Sequence, residues 1–135
     1  METTSSEANC PFCRLDPVEA MLENELAFAF PDGFPVTLGH TLVVPKRHVA
    51  SFFEVSPEER AAIFDLVGRV RQLLLEKHAP DAFNIGINDG VAAGQTVPHL
   101  HIHLIPRYAG DTDDPRGGVR WIMPVKAPYW KRDER

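Results

Sequence analysis

The stretch that most constrains this chain is His99-Leu100-His101-Ile102-His103-Leu104-Ile105, which is followed by Pro106. Strict alternation of imidazole with branched aliphatic side chains is the period of a β-strand that buries one face. We therefore predict a strand over 99–105 that ends at Pro106 and points its aliphatic side chains into the core. The three histidines then line up on the opposite face, about 6.6 Å apart along the strand. Packing alone does not explain three titratable side chains in one row, so this face is the first candidate for a functional site.

The remaining patterns predict an α+β fold. Short apolar runs bounded by turn residues predict further strands over 18–22, 26–30, 40–44, 83–87 and 119–123. The clearest helix begins at Ser56, which can cap it, with Pro57 at the first helical position and Glu59 completing a capping box. Its apolar stripe recurs at helical spacing and consists of Ile63, Leu66, Val67, Val70, Leu73 and Leu74. We expect a mostly antiparallel sheet of about five strands, with this helix packed on one face and the histidines on the other.

Length and composition indicate one domain. A chain of 135 residues is long enough to bury a core, and we predict a flexible tail over 1–9 and a single domain over 10–135. The formal net charge of -5 argues against a broad contact with nucleic acid or an anionic membrane, although it leaves room for a small phosphate site. No run is long and apolar enough for a transmembrane helix, and the polar start shows no secretory signal, so we expect a cytoplasmic protein.

Two chemistries fit the row of histidines. His-x-His on a strand can present two imidazoles to one zinc ion. Alternatively, one imidazole is a nucleophile, since a pKa of about 6.5 leaves a neutral nitrogen at cytosolic pH, and its neighbours orient the electrophile. The knuckle Cys10-Pro11-Phe12-Cys13 adds a second candidate, because such a pair in the cytosol is typical of a metal or redox site. We interpret Lys46 and Arg47 as solvated surface and His78 as an exposed residue of the last helical turn.

The histidines follow a loop of small residues, and the stretch from Gly94 to Leu104 reads GQTVPHLHIHL. This stretch resembles the signature of the histidine triad superfamily of nucleotide hydrolases and transferases. The resemblance extends from Cys10 to Arg107 and includes FAFPD at 28–32, GHTLVVPKRH at 39–48 and NDG at 88–90. The segment before the histidines and the Pro106-Arg107 pair look more like the dinucleoside polyphosphate hydrolase branch than the phosphoramidase branch.

The resemblance implies an enzyme, a nucleotide hydrolase that attacks the α-phosphate of a dinucleoside polyphosphate or nucleotide conjugate. His101 matches the nucleophile, which forms a covalent nucleotidyl-histidine intermediate, and His103 matches a residue that contacts the attacked phosphate. Thr96 matches the hydroxyl position near the leaving group, and Gln95 matches the amide beside it. The open alternatives are a phosphoramidase or nucleotidyltransferase of the same superfamily and a nucleotide-binding module without catalysis.

The same resemblance implies residues that bind a purine nucleotide. Asp32 matches the position that holds the ribose hydroxyls, and Asn88 matches a polar contact to phosphate or ribose. Phe30 and Leu42 border the base pocket, and Gly94 allows the backbone to approach the ligand. For Asp32, an ordinary turn residue in Pro-Asp-Gly is the alternative.

Some bacterial members of the superfamily, and the related uridylyltransferases, bind zinc through a Cys-x-x-Cys knuckle and two histidines. By that resemblance the ligands here are Cys10, Cys13, His48 and His99, a closed Cys2His2 set and therefore a structural site. A pair of buried or redox-capable thiols is the alternative for the cysteines.

The resemblance also implies a homodimer, whereas the composition predicts neither a nucleic-acid nor a membrane partner. Pro98 departs from a residue that is often aromatic or basic in relatives. The C-terminal region 108–135 lies outside the signature. Leaving-group and base selectivity therefore stay open.

Overall fold

A computed structural model describes residues 5–134 of the chain. The strands are β1 (Leu22–Glu23), β2 (Ala27–Pro31), β3 (Thr41–Pro45), β4 (Ala82–Ile87) and β5 (Ile102–Arg107). They form one sheet in the order β1-β2-β3-β5-β4, in which all neighbours are antiparallel. The helices are a single turn, α1 (Ser5–Ala8), and the long α2 (Pro57–His78). The predicted α+β fold, with five antiparallel strands and one long helix, is confirmed.

Helix α2 begins and ends where local signals place it. Oγ of Ser56 accepts a hydrogen bond from the N–H of Glu59 at 3.1 Å, and Oε1 of Glu59 accepts one from the N–H of Ser56 at 2.9 Å, so the capping box is confirmed. Ala79 ends the helix in a left-handed conformation with φ of 49°. The stripe that the helix buries consists of Ile63, Leu66, Val67, Val70 and Leu74. Leu73, which was predicted in the stripe, lies at its edge and is partly exposed.

The two faces of the sheet have different covers. Helix α2 covers the face that carries the main core, including Ala27, Ala29, Val43, Ile102 and Leu104. The opposite face holds a smaller cluster of Phe30, Leu42 and Val44, against which Phe12 and Leu15 of the N-terminal segment pack. His103 lies on this second face, since it is the register partner of Leu42. The N-terminal segment therefore covers part of the histidine side of the sheet.

The histidine stretch departs from the predicted strand at both ends. β5 begins at Ile102 rather than at residue 99, because the N–H of Leu100 bonds to the Val49 carbonyl at 2.7 Å and does not join the ladder. The strand continues through Pro106 to Arg107. β3 pairs only with Ile102–Leu104, so the β3 side of β5 is unpaired at Pro106. Pro106, which has no N–H, is tolerated there. The predicted burial of the aliphatic side chains is confirmed for Leu100, Ile102 and Leu104.

Two predicted strands are short 3-10 helices instead. Pro17–Glu19 is helical because Asp16 caps it, accepting a hydrogen bond from the N–H of Val18 at 2.9 Å, and only Leu22–Glu23 of that region joins the sheet. Gly118–Ile122 is also a 3-10 helix. It follows Gly117, whose φ of 94° turns the chain, so region 119–123 packs beside β4 and does not extend the sheet.

Three residues interpreted as exposed have partners. Nε and Nη2 of Arg47 donate to the buried carboxylate of Glu59 at 3.1 and 2.7 Å. Lys46 pairs with Glu23 at 2.9 Å, and His78 is half-buried against the loop before β3. Lys46 and Arg47 are nevertheless exposed, as interpreted. Only the interpretation of His78 was wrong, because the loop before β3 packs against its ring.

The predicted flexible tail over 1–9 contains the helical turn α1, and residues 1–4 lie outside the described residues. The tail and the single domain over 10–135 stay predictions. Over the part of the chain that the structure describes, no helix combines the length and the apolar character needed to cross a bilayer.

Candidate active site

Five of the six histidines converge on the sheet face opposite α2. They form two clusters of metal-ligating side chains, one of Cys10, Cys13, His48 and His99 and the other of Asp32, His40 and His103. His101 joins the two clusters, because it bonds to the backbone of His99 and its ring centroid lies 5.2 Å from that of His103. Each cluster has its own chemistry, which follows from where its protons lie.

A backbone carbonyl determines which nitrogen of His101 is free. Nδ1 of His101 lies 2.8 Å from the carbonyl oxygen of His99. A carbonyl can only accept, so Nδ1 carries the proton and the neutral ring has its lone pair on Nε2. The residue is 8% exposed, so little water competes with a ligand for that lone pair. A histidine nucleophile requires this arrangement.

The tautomer of His103 is set through a second histidine, His40. The N–H of Val36 donates to Nδ1 of His40 at 3.1 Å, so the neutral His40 ring carries its proton on Nε2. That N–H donates to Nδ1 of His103 at 2.9 Å, which leaves the proton of His103 on Nε2. Burial lowers the pKa of His40 and also the pKa of His103, so both rings are neutral at neutral pH. His103 is therefore a donor suited to a phosphate oxygen.

Asp32 lies beside this relay. Its Oδ1 accepts a hydrogen bond from the N–H of Phe34 at 2.8 Å, as expected for the Pro-Asp-Gly turn. Its Oδ2 lies 3.3 Å from Nε2 of His40 and 4.0 Å from Nδ1 of His103. The turn role and the site role are thus compatible, because each uses a different carboxylate oxygen.

The structure brings together the four residues predicted as zinc ligands. Sγ of Cys13 lies 3.2 Å from Nδ1 of His48 and 3.5 Å from Nδ1 of His99. Sγ of Cys10 lies 3.4 Å from Nδ1 of His99, and the two Nδ1 atoms are 3.2 Å apart. Zinc bonds of about 2.0–2.3 Å in a tetrahedron place neighbouring ligands roughly 3.3–3.8 Å apart. These four residues could hold one ion with little movement.

The protons of this cluster also fit a cation. Nε2 of His99 lies 2.8 Å from the Pro45 carbonyl and so carries the proton, which directs the Nδ1 lone pair at the sulfurs. Burial lowers the pKa of His99, which keeps the ring neutral. Burial of its sulfur, together with the adjacent Cys10, raises the pKa of the Cys13 thiol to about 11. Two thiolates at this position need a cation, and a Cys2His2 donor set is typical of Zn²⁺.

The cluster of Asp32, His40 and His103 is close enough to chelate an ion as well. The tautomer of His40 argues against it. Nδ1 of His40 accepts from Val36, so Nε2 must keep its proton, and it cannot bind a metal unless the ring becomes an imidazolate. We therefore assign this cluster as a hydrogen-bond relay.

Gln95, predicted beside the leaving group, holds the loop before the histidines. Its Nε2 donates to the carbonyls of Ala50 and Val97 at 2.8 and 3.0 Å, and its Oε1 accepts from the N–H of Gly90 at 2.8 Å. Both N–H donors of the amide and one lone pair of its oxygen are thus used by the backbone. Gln95 shapes the loop, and its predicted role at the leaving group stays a prediction.

Three other predicted ligand contacts are open to solvent. Thr96 is exposed and makes no hydrogen bond with the described residues, so its hydroxyl is available to a ligand. Gly94 has φ of 96° and open space around the position of a Cβ. Asn88 is exposed and lines a cavity together with His40 and His103.

The predicted base-pocket residues, Phe30 and Leu42, are 4% and 6% exposed. Phe12, which stands between the two cysteines in the sequence, packs against the cluster that contains Phe30 and Leu42. Its ring centroid is 5.0 Å from that of His101 and 5.7 Å from that of His99. A base that enters this region must contact or displace Phe12.

Sequence reasoning assigned no role to His40 or Phe12, although both touch the triad. A sequence signal for His40 exists, because it is a polar residue shortly before the apolar run Leu42-Val43-Val44, and the structure buries it. Phe12 had no signal beyond its place in the Cys-x-x-Cys knuckle.

Comparison with known proteins identifies the family. Residues 16–110 match the family model described as HIT domain, so the chain belongs to the HIT domain family. It is 41% identical over 93 residues to the asymmetrical bis(5'-nucleosyl)-tetraphosphatase of Schizosaccharomyces pombe, a match that covers 69% of this chain and 51% of that protein. It is 31% identical over 115 residues to Adenylylsulfatase HINT3 of Arabidopsis thaliana, covering 82% of this chain and 58% of the relative. The chain thus spans little more than half the length of these two relatives.

A solved structure covers nearly the whole chain. The zinc-bound histidine triad family protein from Mycobacterium smegmatis superposes with a TM-score of 0.69 at 31% identity, over 96% of this chain and 99% of that one. The likeness therefore includes the C-terminal region that lies outside the triad signature.

Proposed function

We propose that this protein is a nucleotide hydrolase in which His101 attacks the α-phosphate of a dinucleoside polyphosphate or another nucleotide conjugate. The observation that carries the proposal is the 2.8 Å hydrogen bond between Nδ1 of His101 and the His99 carbonyl, which leaves a lone pair on Nε2. Relatives named as a tetraphosphatase of dinucleotides and as an adenylylsulfatase support a hydrolase that acts on nucleotides.

The reaction has two steps at one phosphorus atom. Nε2 of His101 bonds to phosphorus while the bond from phosphorus to the leaving-group oxygen breaks. The electron pair of the breaking bond departs with that oxygen. The imidazole becomes positively charged, and the His99 carbonyl stabilises that charge through Nδ1–H. Water then attacks phosphorus and gives up a proton to the solvent. The nitrogen–phosphorus bond breaks, its electron pair returns to Nε2 of His101, and the mononucleotide is released.

The surrounding residues bind and orient the substrate. Nε2–H of His103 donates to a non-bridging oxygen of the attacked phosphate, where negative charge develops. Asp32 accepts from the ribose hydroxyls, and the free hydroxyl of Thr96 donates to the leaving group. Asn88 contacts phosphate or ribose. Phe30, Leu42 and Gly94 border the nucleoside, and Gln95 keeps the loop in place.

We also propose that Cys10, Cys13, His48 and His99 hold a structural Zn²⁺. The donor set and its spacing fit this ion, and a close structural relative is zinc-bound. When bound, zinc supplies a cross-link between the N-terminal knuckle and the segment that carries His101. The knuckle positions Phe12 against the nucleophile, so its order matters for the site.

The variant His101→Asn tests the nucleophile. Asparagine keeps an N–H that can donate to the His99 carbonyl, but it lacks the atom that attacks. We expect hydrolysis of a dinucleoside tetraphosphate and of adenylyl sulfate to fall on the order of 10⁴-fold, with the Tm nearly unchanged. The matched control is His78→Asn, because His78 belongs to neither cluster and is not the nucleophile. We expect His78→Asn to retain activity.

A second readout detects the intermediate. Single turnover with radiolabelled substrate, quenched at alkaline pH, should leave an acid-labile nucleotidyl adduct on the wild type and none on His101→Asn. Near-normal turnover by folded His101→Asn refutes the proposal. Tight binding without adduct or turnover indicates a binding module, and preferred cleavage of phosphoramidates or transfer to an acceptor other than water indicates one of the other two activities. The homodimer stays a prediction, which sedimentation of the purified chain tests.

A further inference from the structure

A cavity of about 980 Å³ lies between the C-terminal segment and strands β4 and β5. It opens beside His40 and His103, but it is not lined by His101, Phe30 or Leu42. β5 lies between β3 and β4 in the sheet. The cavity therefore extends to the β4 side of His103, whereas the predicted base-pocket residues Phe30 and Leu42 belong to β2 and β3. Asn88 lies between the two regions, at the edge of the cavity. A ligand held at His103 can therefore reach both the cavity and the region proposed for the attacked nucleotide.

Both tryptophans of the chain line this cavity. Nε1 of Trp121 donates to the Arg116 carbonyl at 2.7 Å, which anchors an indole that is still 43% exposed. A Cβ at Gly117 would lie 3.2 Å from the ring of Trp130 and 3.4 Å from Nε1 of Trp121, so glycine lets the two indoles close around this turn. An anchored, exposed indole is a platform for a flat aromatic ring.

The charges of the wall are largely paired. Arg107 pairs with Asp111 at 2.8 Å, and Arg116 pairs with Asp114 at 2.9 Å. Asp113 also lines the cavity, and its carboxylate makes no hydrogen bond or ion pair with the described residues. Lys131, the other cation of the wall, acts on Asp114. The wall thus holds three carboxylates against two cations, and it does not suit a polyphosphate. It suits a neutral ring that carries hydroxyl groups, which the carboxylate of Asp113 can bind.

We propose that this cavity binds the second nucleoside of a dinucleoside polyphosphate, with Trp121 as the stacking platform for its base. The inference rests on the proposed function, because it requires the attacked phosphate to lie between His101 and His103. The volume falls at the upper end of that of small-molecule sites, about 300–1,000 Å³, and accommodates a nucleoside. The bridging phosphates remain outside the near-neutral wall, on the path from His103.

The variant Trp121→Ala tests the subsite with three ligands. A dinucleoside tetraphosphate has the second nucleoside, whereas adenylyl sulfate and the competitive inhibitor AMP lack it. We expect the variant to raise KM for the tetraphosphate about tenfold, and to leave kcat/KM for adenylyl sulfate and Ki for AMP within twofold. Trp121→Phe should recover most of the loss. Ile122→Ala, at a neighbouring exposed position that does not line the cavity, is the matched control.

Fluorescence gives a readout that does not depend on turnover. Stacking should quench the emission of Trp121, so a tetraphosphate bound to the His101→Asn variant quenches fluorescence, and adding Trp121→Phe removes most of the quench. Each of four results overturns the subsite. They are an unchanged KM for the tetraphosphate, equal losses of kcat/KM for both substrates, a raised Ki for AMP, and no hydrolysis of the tetraphosphate by the wild type. The proposed function survives all four results if adenylyl sulfate is hydrolysed through His101, and it fails by itself if neither substrate is hydrolysed.

Discussion

Replacing Glu59 by glutamine tests the ion pair that holds the loop before His48. The Glu59 side chain is 6% exposed and accepts hydrogen bonds from Arg47 at 2.7 and 3.1 Å. The pKa of Glu59 is lowered from 4.5 to about 2. The hydrogen bonds from Arg47 are the largest cause, and those from Ser56 add to it. That fall corresponds to about 3 kcal/mol, at about 1.4 kcal/mol for each pKa unit. Because the Arg47 side chain is 55% exposed, solvent screens the pair and we expect about 2 kcal/mol.

The sign of the pH dependence follows from the direction of the pKa. A carboxyl group whose pKa is lower in the folded state contributes its full stabilisation above its unfolded pKa of 4.5. The contribution is lost as the pH falls from 4.5 towards 2. Urea unfolding of the wild type and Glu59→Gln, at several pH values between 7 and 3, measures this difference.

Glutamine is the matched substitution, because its side-chain oxygen can still accept the capping-box hydrogen bond from the N–H of Ser56. The variant therefore removes the charge and retains the cap. We expect the wild type to be more stable by about 2 kcal/mol at pH 7, with a difference that shrinks below pH 4.5. A difference that stays constant from pH 7 to pH 3, or none at pH 7, refutes the reasoning.

Three further predictions concern the site. His40→Ala leaves Nδ1 of His103 without its 2.9 Å donor, which costs about 1–3 kcal/mol and should lower kcat about 5- to 150-fold with little change in KM. His40→Gln, which retains an N–H, should recover part of the lost kcat. An unchanged kcat in His40→Ala contradicts the relay. Purified wild type should contain one zinc per chain by elemental analysis and Cys10→Ser less than half, with a lower Tm, whereas a metal-free wild type contradicts the zinc proposal. Gln95→Ala removes three loop hydrogen bonds and should speed proteolysis within 90–97; equal cleavage rates for the variant and wild type count against the loop role.

Much of the fold could be predicted because it depends on neighbours in sequence. The alternation from His99 to Ile105 determines which side chains face the core, and the capping box of Ser56 and Glu59 determines where α2 begins. The two strand predictions that failed did so because a neighbouring cap or turn outweighed the composition of the segment. Region 119–123 has the composition of a strand, but Gly117 turns the chain and the 3-10 helix Gly118–Ile122 follows.

The sequence by itself predicted that three histidines line one face of a strand, and its resemblance to the histidine triad superfamily predicted that the Cys10–Cys13 knuckle lies beside them. Tertiary structure alone decided what each ring does. The carbonyl of His99 directs the proton of His101, that of Pro45 directs the proton of His99, and Val36 acts on His103 through His40. A local pattern cannot specify these partners, because His40 and His103 are 63 positions apart and Cys13 and His99 are 86 apart. The chemistry of an imidazole depends on which nitrogen is protonated, and only the folded chain determines that.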